Sequence, residues 1–108
     1  MTPEREYIQT LLQDLQEELT TQGLWTASPP DPDALDSTEP FCVDTLPLEQ
    51  WLQFVFLGRM TAILEQGAPL PETCAIEPYA QKQFSARHNA RTMLRIIGKL
   101  DIMITRAT

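Results

Sequence analysis

Ile8, Leu11, Leu12, Leu15 and Leu19 recur at i, i+3, i+4 and i+7, while Glu6, Gln13 and Glu17 fall on the other side. That spacing predicts an amphipathic helix with one narrow apolar face. Thr2 followed by Pro3 supplies its start: the hydroxyl accepts an orphan N–H, and proline suits the first helical position. Gly23 supplies its stop, because a left-handed residue there lets Leu24 fold back on Leu19. From Trp25 to Thr45 the period disappears. Pro29, Pro30, Pro32 and Pro40, mixed with acids, predict a long loop with one helical turn at Asp33 to Asp36. A loop of that length in a compact domain packs or functions, and Trp25, Phe41 and Val43 are expected to pin it.

The densest apolar run, PFCVDTLPLEQWLQFVFLGRM at 40–60, predicts a second helix capped by Asp44 or Thr45, with Pro47 in its first turn and Gly67 at its end. At about 100° per residue, Leu48, Trp51, Leu52, Val55, Ala62 and Ile63 share one face. Phe54, Leu57, Met60 and Leu64 fall on other sides. A helix apolar nearly all round is buried nearly all round, or it offers a surplus face to a partner. Pro78 suits the start of a short third helix from Glu77 to Gln83. A last helix is expected from Ser85 or Ala86 to about Thr105, burying Ala86, Ala90, Met93, Leu94, Ile97, Leu100 and Ile104. No strand alternation or internal repeat interrupts the pattern. The expected architecture is a single all-α domain over 1–108, a four-helix antiparallel bundle with a long Pro-rich loop between helices one and two.

Several blocks in order carry a further signal: P-F-C-V-D-T at 40–45, W-L-Q-F at 51–54, R-M at 59–60, A-P-L-P at 68–71, I-E-P-Y at 76–79 and K-L-D at 99–101. Together they resemble the YqcC-like family of small bacterial proteins. In one place the chain departs from the pattern, with Gly58 where the family usually has proline. The family label, tRNA pseudouridine synthase C, comes by association with a neighbouring enzyme. The resemblance therefore implies an all-α fold and, at most, an accessory part in tRNA pseudouridylation.

Eight basic residues against fifteen acidic ones leave a net charge of −7, which opposes tight non-specific binding to a phosphate backbone. The charge is unevenly spread. Residues 1–81 hold only Arg5 and Arg59 as cations, whereas Lys82, Arg87, Arg91, Arg95, Lys99 and Arg106 are concentrated in the last quarter. A chain of 108 residues makes one core and leaves little to enclose a substrate, and the strand alternation that a pseudouridine synthase sheet requires is missing, so an enzyme is not expected. Cys42 and Cys74 form no C-x-x-C pair and read as reduced thiols in a cytoplasmic protein. The longest apolar stretch, Trp51 to Leu57, is too short to span a bilayer. His88 stands alone among arginines, so no metal site and no cofactor are expected.

Three constellations remain. Arg59 and Asp101 both project onto inner helix faces, which predicts a structural ion pair between them, or between Arg59 and Asp44. Arg87, Arg91, Arg95 and Lys99 repeat at i+4 and form a face suited to RNA phosphates or an acidic partner. Trp25, Phe41, Trp51, Phe54 and Leu57 are the candidates for a partner-binding surface. The functional expectation is a small cytoplasmic, non-enzymatic helical-bundle protein that binds a protein partner, with a homodimer among the possible assemblies. The alternative is an accessory factor in tRNA pseudouridine modification that meets tRNA, or a tRNA-modifying enzyme, through the basic last helix.

Overall fold

The computed structural model describes residues 2–87 and 89–107, so His88 lies outside the described residues. The chain is all-α, with no strand among the described residues. Its elements are α1 (Pro3–Thr21), α2 (Pro32–Leu35), a 3₁₀ turn (Pro40–Cys42), α3 (Leu48–Trp51), a π-helical turn (Leu52–Phe56), α4 (Leu57–Gln66), α5 (Glu77–Phe84) and α6 (Arg91–Arg106). α1 packs along α6 and against α4, while α5 packs against α6. The core contains the predicted α1 face, from Ile8 to Leu19, together with Met93, Ile97, Leu100 and Ile104 of α6.

The ends of α1 form as the sequence predicts. Thr2 Oγ1 accepts the Arg5 N–H at 3.2 Å, with Pro3 at the first helical position. At the other end Gly23 adopts φ 74°, and the Leu24 N–H returns to the Leu19 carbonyl at 2.8 Å. Gly67, at φ 64°, ends α4 in the same way, with the Ala68 N–H on the Ile63 carbonyl at 3.0 Å.

Residues 48–66 form one continuous rod, because the residues joining α3, the π turn and α4 are all right-handed helical. Its cap differs from the expected one. Asp44 accepts from the Ser37 hydroxyl and Thr45 donates to the Ala34 carbonyl, so both side chains tie the loop together and Pro47 begins the helix. The π turn, in which the Leu57 N–H reaches the Leu52 carbonyl, changes the register of the whole rod. It uses one extra residue, so later positions are turned back by about 100° relative to a regular helix. Leu57, Met60 and Leu64 then fall into line with Leu48 and Leu52, and all five are buried. Ala62 and Arg59 swing outward by the same rotation and are exposed. The wide turn forms with Gly58, not proline, two residues beyond it.

Of the three residues expected to pin the loop between α1 and α3, Phe41 alone packs against the core. Trp25 and Val43 are exposed. Gln53 makes the attachment instead: from the π turn, its Oε1 accepts the Thr26 N–H at 3.0 Å and its Nε2 donates to the Thr26 carbonyl at 2.7 Å. It is the buried polar residue of the rod, at 9% exposure. Replacing Gln53 with leucine would leave both Thr26 backbone groups unpaired, and we expect a loss of about 2 kcal/mol. Hydrogen exchange at Thr26 tests this, since its amide protection should fall to that of a free loop.

Candidate functional site

The partner-surface candidates separate into three groups. Phe41 and Trp51 come together, and Phe54 lies next to them. Leu57 is buried between α1 and α4 and belongs to the core, while Trp25 lies outside the cluster. Phe41 meets Trp51 edge to face, with centroids 5.0 Å apart, and stacks on Tyr79 at 5.2 Å. Trp51 in turn stacks on Phe56 at 5.7 Å. Phe56 and Tyr79, absent from the expected partner surface, are placed here by the π turn and by the start of α5. The aromatic density of 51–56 was the signal for Phe56.

Phe41 reaches this position through an unusual backbone. It and Cys42 both have left-handed φ values, 57° and 50°, which a bulky side chain adopts only at a cost of about 1–3 kcal/mol. The turn is closed by the Cys42 N–H on Glu39 O and the Val43 N–H on Pro40 O, each at 3.1 Å. The strain is offset by packing of the ring between Trp51 and Tyr79.

These rings border a cleft of about 310 Å³ whose wall includes Phe41, Trp51, Phe56, Arg59 and Met60, closed on the far side by the 71–76 connector. An adjoining hollow shares Phe41, Trp51 and Arg59 and adds Glu39, Phe54 and Val55. Arg59 therefore stands at the rim of both. Among the described residues, the ionisable side chains lining the cleft are Arg59 and Cys74.

The predicted Arg59–Asp101 pair does not form, and Asp44 does not replace it. Asp101 instead accepts the Ile76 N–H at 2.9 Å, the Glu77 N–H at 2.8 Å and the Cys74 Sγ–H at 3.2 Å. It serves as the acceptor for the α5 N-terminus, which has no side-chain cap of its own. The physical reason is the phase shift in the rod, which carries Arg59 to the surface while Asp101 stays half-buried against the connector.

Burial raises the pKa of the Cys74 thiol far above its ordinary value, and the adjacent Asp101 carboxylate, as acceptor and as charge, raises it further. The folded chain therefore holds this proton to higher pH than the unfolded chain. The resulting stability is complete below about pH 8.5 and declines as pH rises above it. Urea midpoints should therefore fall more steeply between about pH 8 and 10 in the native chain than in Cys74→Ala. In a Cys42→Ala background, native Cys74 should also resist iodoacetamide at pH 8. Equal slopes with rapid alkylation would contradict this.

The basic row is shorter than its spacing suggests. α6 begins at Arg91, after Asn89 in a left-handed conformation at φ 66°, so Arg87 lies before the helix. Its guanidinium donates to Gln22 Oε1 at 3.2 Å and to the Gln22 carbonyl at 3.0 Å, beyond the C-terminus of α1. Arg91, Arg95 and Lys99 are exposed, and none makes an ion pair or a side-chain hydrogen bond with another described residue. Among the described residues no cluster of three or more His, Cys, Asp or Glu could hold a metal. No helix among them is long and apolar enough to cross a membrane.

Comparison with known proteins gives a consistent set of relatives. An uncharacterized protein of Haemophilus influenzae is 41% identical over 92 residues, covering 82% of this chain and 87% of the relative. The uncharacterized protein YqcC of Escherichia coli is 34% identical over 93 residues, 85% of each chain. The solution NMR structure of E. coli YqcC superposes with a TM-score of 0.83 at 30% identity, covering 99% of this chain and 92% of that one. A Pectobacterium carotovorum protein named tRNA pseudouridine synthase C is 41% identical over 73 residues, which are 68% of this chain but 19% of that one. The family model DUF446, described as tRNA pseudouridine synthase C, matches residues 7–103, and the chain therefore belongs to this YqcC-like family.

Proposed function

We propose that this domain is a non-catalytic docking module of the cytoplasm that receives a side chain of a protein partner in the Phe41/Trp51/Phe56 cleft. The observation that carries the reading is an open aromatic cleft furnished by a strained backbone, in a lining without acid/base chemistry. Arg59 offers a cation and no proton acceptor, and the Cys74 thiol is held in its neutral form. Half-buried tryptophan beside a pocket is the arrangement that dominates protein interfaces. The Pectobacterium relative supports a tRNA-modifying synthase as the partner, because the shared stretch there is a minor part of a chain bearing that enzyme's name. Titration calorimetry of the domain against the synthase of the same host tests this. Trp51→Ala should weaken binding by about 30-fold, the value of a 2 kcal/mol hot spot, while Trp25→Ala leaves it unchanged. Equal binding by Trp51→Ala and the native chain would refute the cleft as the docking site.

A second reading rests on the unpaired row of Arg91, Arg95 and Lys99, whose side chains follow one another every ~6 Å along α6. That spacing suits contact with an RNA backbone, with no aromatic ring interleaved for base stacking. It requires tRNA binding that falls steeply with salt and is lost on charge reversal at Arg91 and Arg95. Salt-insensitive binding would exclude it.

A further inference from the structure

Resting on the docking reading, we infer that the partner segment seated in this cleft carries a large apolar side chain with a carboxylate close by, and that the carboxylate pairs with Arg59. The argument begins with supply and demand of charge. Residues 1–81 contain two cations among fourteen carboxylates. One of them, Arg5, is committed, donating to the Ala68 carbonyl at 2.7 Å. The other, Arg59, is exposed and has no ion pair or side-chain hydrogen bond with any described residue, although Glu39 lines the same adjoining hollow. An uncommitted guanidinium at the mouth of an apolar cleft is the complement of an anion placed beside an apolar anchor.

Size limits the anchor. A volume of about 310 Å³ lies at the lower end of ligand sites and accommodates one large side chain. Chemistry limits the class. Apart from Arg59, the polar side-chain groups of the described lining are the Trp51 indole N–H, the Thr73 hydroxyl and the Cys74 thiol, and the thiol proton is spent on Asp101. A nucleobase would leave several of its edge donors and acceptors unmatched there, whereas an indole, phenyl or branched aliphatic group would not. The surrounding acidic body repels a broadly acidic partner, but that field is screened beyond about 8 Å at physiological salt. One local carboxylate is therefore favoured over an acidic tract.

The full chain should be titrated with indole-3-propionic acid and, separately, with its primary amide, following the Trp51 indole N–H by ¹H–¹⁵N correlation spectra and using Trp25 as internal control. Both compounds should shift Trp51 and leave Trp25 in place, with the acid binding about 5- to 10-fold tighter than the amide. In Arg59→Gln that advantage should fall below about twofold, with amide binding unchanged. Equal affinities for acid and amide would overturn the inference, as would uridine 5′-monophosphate binding as tightly as the acid. Either result leaves the docking reading to the synthase titration. No shift at Trp51 with any probe would overturn both.

Discussion

Asp101→Ala should cost about 3 kcal/mol of folding stability, read as a fall in the urea midpoint at unchanged slope. The half-buried carboxylate on α6 accepts two backbone N–H groups, from Ile76 and Glu77, and one thiol. Charge-assisted bonds of this kind are each worth about 1.5–3 kcal/mol, and removing the acceptor leaves the donors without a substitute. No local side chain can take over, since Ile76 occupies the cap position of α5 and Pro78 has no N–H. Asp101→Asn keeps the shape and one carbonyl oxygen but loses the charge, so it should cost about half as much. The same alanine variant removes both contributions of Asp101 to the raised Cys74 pKa, and alkylation of that thiol should accelerate. A loss below about 1 kcal/mol would mean that α5 is held by its apolar contacts alone.

The second large effect is a contrast between two single-residue deletions in the same rod. Removing Val55 takes out the extra residue of the π turn, restoring a regular helix in which Leu48, Leu52, Leu57, Met60 and Leu64 still share a face. Its expected cost is about 1–2 kcal/mol, for lost local packing. Removing Thr61, an exposed residue with little packing of its own, puts Leu64 out of phase with Met60 by about 100°. That deletion should cost more than about 4 kcal/mol or abolish cooperative unfolding. Circular dichroism with urea titration decides between them, and equal tolerance would refute the register account.

Arg59 shows how far a periodic reading extends. Its projection beside Leu48 and Leu52 is correct for a regular helix, and the inner-face ion pair follows logically from it. A single extra residue four positions earlier overturns the placement. The π turn has no short-range signature: Leu52–Phe56 contains neither proline nor glycine, and Gln53 looks like an interruption rather than the clamp on Thr26 that it becomes. The aromatic cluster beside the cleft was legible to a similar extent. Phe41 and Trp51 were recognisable from composition, whereas Phe56 and Tyr79 joined them only through packing between elements distant in sequence.

Local chemistry alone was enough for the all-α class, the face and both ends of α1, the glycine stop of α4, the extent of α5 within a residue and the inner face of α6 from Ala90 onward, though not its start, since Ala86 lies before the helix and is exposed. Those features depend on hydrophobic period, cap hydroxyls and left-handed glycines, which act within a few residues. Long-range contacts decided the phase of the second helix, the exposure of Arg59, the role of Asp101 as the cap of another helix, and the strained turn that carries Phe41 into the cleft. Each of these exchanges a local cost, a widened helical turn or a left-handed bulky residue, for burial or hydrogen bonds made across the fold. Such exchanges are decided by partners that are far apart in the chain.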